Sequence, residues 1–380
     1  MGNMNFAPFG FSLGNFGTAN FLSTNFTSLF PYGTGSQRAA IHSTQPQTES
    51  NSGGLNIHVT YDASVNSCPH EAAFKACVAG VVKYYESQFS DPVTINLHVG
   101  WGEVDGDKIP GGSGAESESN YTAQKYSYAQ IKAALLNDAT SADDNTALAS
   151  LGSDPTHGGK FSMTTAQAKA LGLISGTSTA VDGWTGVDKT THWVYNTTNT
   201  TGADVNQDKG QADLFSFLAH EISEIMGRQM NFGHGNGDGF KGDGYYPEDL
   251  FDYTAEGVHS FKASKGGRYF SLDGGVTVIH HFNAHADGDQ FDWAPSSTPD
   301  SYDWEGSVGA VSKGDLRVMD VLGYDRIGAG AKISTAATLS LPSAVSHYMV
   351  IAEQGLVGYQ GHGGLMYLHN AMHLAQDHFV

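Results

Sequence analysis

The sequence predicts an α+β fold, and three observations carry the prediction. Residues 55–101 read as strand, helix, strand. A later helix around residue 220 has a regular apolar stripe. Forty-eight glycines among 380 residues, with abundant Asn, Ser and Thr, mark long loops and β-structure around both.

LNIHVTYDASV (55–65) alternates apolar and polar residues as a strand does. Pro69 to Phe89 reads as a helix, with Ala72, Ala73, Ala76, Val78, Val81, Val82 and Tyr85 on its apolar faces. VTINLHVGW (93–101) returns as a second strand, and a strand–helix–strand unit suits parallel pairing. Residues 110–160 hold a short helix near Tyr128–Leu136 among Gly/Ser/Asp loops, an insertion expected beside a substrate cleft. THWVYNTT (191–198) reads as a strand just before the next helix. There Leu214, Leu218, Ile222 and Ile225 recur at spacings of four, four and three, and Gly227 supplies a left-handed stop. RYFSLDGGVTVIHHF (268–282) reads as a hairpin turning at Asp273-Gly274-Gly275. GDLRVMDVLGYD (314–325) reads as a helix with Leu316, Met319 and Leu322 inward. The tail offers β-prone pieces (ATLSLPSAV, HYMVIAEQGLVGY) and then a histidine-rich stretch, LMYLHNAMHLAQDHFV, expected to be helical.

Three regions follow. Residues 1–53 are an Asn/Phe/Gly-biased arm and polar linker, in which Asn-Phe recurs at 5–6, 15–16, 20–21 and 25–26. An arm of that kind is expected either to be a flexible leader or to self-associate through residues 1–35. Residues 54–325 form the main domain, and 326–380 a tail for secretion or docking. Acids outnumber bases 39 to 19, a net charge of −20, which argues against nucleic acid and anionic membrane as partners because both need basic surface. No run approaches the roughly 20 apolar residues of a membrane span. No basic-then-apolar Sec signal opens the chain. Cys68 and Cys77 stand nine apart: too distant to bond if both are helical, able to bond if Cys68 precedes the helix.

The chemistry concentrates at His220-Glu221-Ile222-Ser223-Glu224. In H-E-x-x-H two ligands at i and i+4 share one helix face and reach one Zn²⁺, while the glutamate between them is the general base for water. Here Glu224 takes the second ligand position, and a carboxylate is an acceptable zinc ligand. The ordinary alternative is an amphipathic helix with solvated His and Glu.

HEISEIMGR (220–228) resembles the active-site helix of a bacterial family of secreted metalloproteases that reads H-E-I-S-E-V-M-G-R there and is distantly metzincin-like. INLHVGWGEV (95–104), AQAKALGL (166–173), DLFDYTAEGV (249–258), YFSLDGGVTVI (269–279) and GDLRVMDVLGYD (314–325) agree with that family in order, over roughly residues 55–325. The resemblance implies a metzincin-like zinc protease domain: a twisted mixed sheet over two long helices and a loop-rich lower subdomain. It also implies an edge strand that binds substrate backbone by strand addition, which THWVYNTT matches in position. Against H-E-x-x-H-x-x-G-x-x-H, the chain keeps His220, Glu221 and Gly227 and places Glu224 and Met230 at the other two histidines. The ending Asp377-His378-Phe379-Val380 resembles that of proteins exported by one-step secretion, which implies a secreted or cell-surface protein without a Sec signal.

The third zinc ligand stays open between His234, preferred because imidazole suits zinc, and Asp249 or Asp252, to which the resemblance points. Asn236, Asp238 and Asp243 in a glycine-rich loop suggest Ca²⁺. Arg228 stabilises an oxyanion or pairs with a carboxylate. His280, His281 and His285 invite a second metal, against which neighbours on a strand face opposite sides. The expected function is a secreted zinc endopeptidase with a protein or peptide substrate, and Glu224→His is expected to keep or tighten the metal. The competing expectation is a catalytically silent surface, adhesive or filament-forming protein.

Overall fold

The computed structural model describes residues 54–230, 244–261, 267–284, 289–296, 298–304 and 309–329, and the backbone of three strands between 349 and 367. The Asn-Phe arm and linker, His234, the Asn236/Asp238/Asp243 loop and His285 lie outside the described residues.

The fold is α+β, built on a mixed four-stranded sheet in the order β1-β2-β8-β5. β1 (Asn56–Tyr61) and β2 (Thr94–Trp101) pair in parallel, with Ile57 opposite Ile95, and β2 pairs in parallel with β8 (Gly183–Val187). β5 (Ala115–Ser119) adds antiparallel to β8 and forms one edge. The parallel opening pair is the one the sequence predicts. α1 (Glu71–Gln88) makes the crossover and buries Phe74, Val78, Val81 and Tyr85. Two short ladders, β3 (Glu103–Val104) with β4 (Asp107–Lys108) and β6 (Tyr126–Ser127) with β7 (Lys160–Phe161), edge the loops between β2 and β8.

The insertion contains two helices where one was expected: α2 (Tyr128–Asp138) and α3 (Ala142–Ser150). The second, ADDNTALAS, has little apolar pattern. A capping box between Ser141 and Asp144 starts it, and contacts with α6 (Lys313–Val321) hold it, including an Arg317–Asp143 ion pair at 2.9 Å. α4 (Thr165–Ala170) follows, capped by Thr164. THWVYNTT does contain a strand, β9 (His192–Val194), but β9 pairs with β10 (Gln211–Asp213) in a separate two-stranded ladder. The edge strands of the main sheet are β1 and β5.

α5 (Leu214–Ile225) is the site helix. Asp213 caps it by accepting from Phe215 N at 3.0 Å. Its end is a Schellman turn: Gly227 at φ 114° donates to Glu224 O, and Arg228 N reaches Ser223 O at 3.0 Å. That turn folds Arg228 back over the last turn. The helix is buried nearly all round, beyond the single stripe of the sequence pattern, with only Phe217 half-exposed. α1 lies on one side, where Tyr85 Oη donates to Ala219 O at 2.6 Å; β5 and β8 lie on another.

After the helix, β11 (Asp252–Ala255) pairs antiparallel with β12 (Val258–His259) and β13 (Tyr269–Phe270), and β13 pairs with β14 (His280–His281). The β13–β14 hairpin carries the expected glycine turn, with Gly274 and Gly275 at positive φ. Met319 of α6 is fully buried core, as its stripe predicts. Cys68 and Cys77 are both free and buried, so the disulfide alternative does not hold. In the tail, β15 (Met349–Ala352), β16 (Leu356–Gly361) and β17 (Gly364–Tyr367) form an antiparallel meander. The helix expected from Leu365 therefore begins as a strand, because two residues between paired Gly361 and Gly364 suit a hairpin. Among the described residues, no helix is long and apolar enough to cross a membrane.

Candidate metal centre

His220, Glu224 and Asp292 each present a ligand atom to the same small volume, all within 4.8 Å of one another. His220 Nε2 lies 3.1 Å from Glu224 Oε1 and 3.1 Å from Asp292 Oδ1. Four ligands about 2.1 Å from a tetrahedral zinc stand about 3.4 Å apart, and both His220 distances lie within tenths of an ångström of that spacing. One imidazole nitrogen with two carboxylate oxygens is a donor set that zinc accepts. The residues fit the ion.

The helix supplies the first two groups through its i, i+4 spacing, as the sequence predicts. Asp292 comes from a loop 72 positions past His220 and is not one of the residues the sequence offered as third ligand; His234, one of those, lies outside the described residues. Asp249 accepts from Tyr246 N at 2.7 Å and caps a 3-10 turn at Pro247–Phe251. Asp252 is buried against Arg268, 3.0 Å from Nη1. Neither belongs to the His220 group. Both stand aside because partners closer to them in the fold already take their carboxylates.

Around the ligand atoms lies a set of supporting contacts. His220 Nδ1 donates to Ser301 O at 3.0 Å, which leaves Nε2 to face the carboxylates. Metal-binding histidines are ordinarily oriented this way by a carbonyl or carboxylate. Ser117 of β5 donates to Glu224 Oε2 at 2.6 Å. Arg228 is fully buried and runs between the two acids, 2.7 Å from Asp292 and 3.3 Å from Glu224, while its Nε donates to Ser223 Oγ. Its guanidinium lies 4.6 Å over the Tyr302 ring. Of the two roles open to Arg228, the geometry shows pairing with carboxylates.

Glu221 sits beside this group without joining it. It is buried, and burial together with the Glu224 charge holds its carboxyl well above the usual range. Burial alone would lower His220, but the Asp292 carboxylate outweighs it and keeps the imidazole protonated well above its usual pKa. Glu248 is wholly buried, and neither of its carboxyl oxygens has a hydrogen-bond partner. Burial raises it, opposed by the Arg228 charge.

Sequence reasoning found His220, Glu221, Glu224 and Arg228 and missed Ser117, Glu248 and Asp292. Ser117 lies in AESES, a strand with no apolar face to reveal it, and FDWAP gives Asp292 no recognisable spacing. The one signal for Asp292 is its setting between Phe291 and Trp293, an acid flanked by aromatic residues.

No protein-family model, curated protein or solved structure matches this chain.

Proposed function

We propose that this protein is a zinc-dependent endopeptidase, secreted or displayed at the cell surface, with His220, Glu224 and Asp292 as metal ligands and Glu221 as general base. The observation that carries the reading is the separation of roles on one helix. Two i, i+4 side chains and one distant carboxylate converge, while the intervening glutamate stays next to them and outside the ligand set. When bound, the ion supplies Lewis-acid polarisation of a carbonyl and acidifies water. Glu221, beside the ligand group and outside it, is the carboxylate placed to accept a proton from water and return it to a leaving amine. Ser301 O and Ser117 Oγ orient His220 and Glu224.

β5 supports a peptide as substrate. It is an edge strand packed along α5, its Ser117 touches Glu224, and an extended chain adding to its outer edge would pass the ligand group. The metzincin resemblance implies a mixed sheet, which this fold has, and an edge strand, a part that β5 takes here in place of THWVYNTT.

The second reading, a catalytically silent structural protein, draws on Arg228. Its guanidinium already pairs with both Glu224 and Asp292, so part of the cluster's negative charge is balanced without an ion. Zinc content of the purified chain, paired with a casein-cleavage assay on wild type and Glu221→Gln, decides between them. Stoichiometric zinc with cleavage lost in Glu221→Gln is expected; a chain that neither binds zinc nor cleaves is the silent protein.

A further inference from the structure

A second group of ligand atoms lies against Trp293. His280 of β14, Asp300 of the following loop, and Asp315 of α6 place one ligand atom each within 4.8 Å of one another. His280 Nε2 is 3.8 Å from Asp315 Oδ1. We propose that these three residues form a second binding site for a first-row divalent cation of the zinc type, structural in role and separate from the His220 centre.

Four observations converge. Asp300 and Asp315 each bring a carboxylate oxygen within 4.8 Å of the other's and of the His280 ligand nitrogen, three donors from three separate segments facing one small volume. Both are buried, and neither has a lysine or arginine partner among the ion pairs of the described residues. Their other contacts leave lone pairs free: Asp315 takes Trp293 Nε1 at 2.8 Å and Ser312 N at 2.7 Å, and Asp300 takes Tyr302 N at 2.9 Å. The imidazole of His280 is held rather than free. It stacks on Trp293 at 4.9 Å between ring centroids and 12° between planes, and a Cβ on Gly314 would collide with its Nε2, so that glycine leaves the ring its place.

The donor set discriminates among ions. One imidazole nitrogen and two carboxylates suit zinc and its neighbours, whereas calcium takes six to eight oxygens and magnesium retains its water. His280, with 23% of its side chain accessible, gives an entry path. The strand facing rule holds too: His281 lies on the opposite face against Tyr269, so only one of the two adjacent histidines takes part.

An ion here would tie three segments together at the places that shape the other centre. Asp300 precedes Ser301, whose carbonyl orients His220; Trp293 follows Asp292 and donates to Asp315. The inference does not depend on the protease reading, since a silent protein would use such a brace equally.

The test is zinc stoichiometry of the full chain, stripped with chelator, reloaded and measured by elemental analysis after removal of free metal. Wild type should retain two ions, and His280→Phe, which keeps an aromatic ring on Trp293 but removes the ligand nitrogen, should retain one. His220→Ala should also retain one, and the double variant none. Should His280→Phe not fold, Asp300→Asn makes the same measurement while preserving an acceptor for Tyr302 N. Zinc should also raise the melting temperature of His220→Ala, and the His280→Phe change should remove that rise. A wild-type chain holding a single ion that His220→Ala abolishes would overturn the second site, as would two ions surviving in His280→Phe. Loss of the first ion alone, with one retained in wild type and removed by His280→Phe, would refute the catalytic reading and leave this one standing.

Discussion

Asp292 meets Arg228 at 2.7 Å across 64 residues of chain, and the same carboxylate oxygen stands 3.1 Å from His220 Nε2. One acid thus serves a cation already present and a candidate one. It neutralises a fully buried guanidinium and offers its remaining lone pairs to an ion on the imidazole side. The Schellman turn at Gly227 makes this possible, because it reverses the chain at the residue before Arg228 and returns the guanidinium to the end of α5 that carries Glu224.

Removing Arg228 should therefore destabilise the metal-free protein more than the loaded one. Arg228→Leu leaves Glu224 and Asp292 buried with only His220 to offset their charge, and breaking a buried pair costs about 3–5 kcal/mol. Saturating zinc replaces part of the lost positive charge. Denaturant melts with and without zinc measure the difference; a variant as stable as wild type in the absence of zinc would show that the clamp contributes nothing.

Glu221→Gln should retain zinc and fold while losing a factor of about 10²–10⁴ in peptide hydrolysis, the usual contribution of a positioned base. The substitution keeps size and removes only the proton acceptor. Parallel elemental analysis guards against a trivial loss of metal. Undiminished cleavage would remove Glu221 from the mechanism.

What could be read in advance follows from how local each feature is. The i, i+4 pair, the glycine stop and the apolar stripe of α5 lie within fifteen residues and depend on helix geometry alone, so they were legible. The strand–helix–strand opening was legible for the same reason. Asp292 was not, because the loop that carries it is placed by Trp293 packing under α6 and by Arg228, contacts that no spacing records. β5 escaped notice since AESES buries no apolar face and owes its conformation to pairing with β8. With β5 unseen, β9 became the nearest candidate for an edge strand, although its ladder partner is β10. His280 was set aside because its neighbour faces away, a correct rule that says nothing about ligands from other segments.

Acid conditions should stabilise the junction between α1, β2 and the end of α6. Asp91 is buried there, accepts from Asp325 N at 2.9 Å, and is pushed up to about 7 by burial and by the Asp325 charge. Its unfolded value is about 3.8, so between these limits the native state holds a proton that the unfolded chain releases. The contribution is complete below about pH 4 and disappears as pH rises through 7. Asp91→Asn, neutral at every pH, should melt above wild type at pH 8 and show a shallower fall between pH 5 and 8. Identical slopes in the two proteins would mean that Asp91 ionises freely.

Glu224→His is the sharpest case, because sequence and structure forecast opposite results. Restoring H-E-x-x-H is expected, from the motif alone, to keep or tighten the metal. In the structure, however, Glu224 faces Arg228 at 3.3 Å and takes the Ser117 hydroxyl at 2.6 Å. An imidazole there loses both contacts and leaves the guanidinium one carboxylate short, so an incoming dication meets more uncompensated positive charge. Disturbing such an outer partner ordinarily costs about 10–100-fold in metal affinity, and Glu224→His should weaken zinc by at least about tenfold on that scale. Adding Arg228→Leu removes the opposing charge, and the double variant should recover affinity relative to Glu224→His even though it is less stable. Competition titrations against a chromogenic chelator give the three dissociation constants. If Glu224→His alone binds as tightly as wild type, Arg228 does not share the electrostatic environment of the ion, and the motif was the better guide.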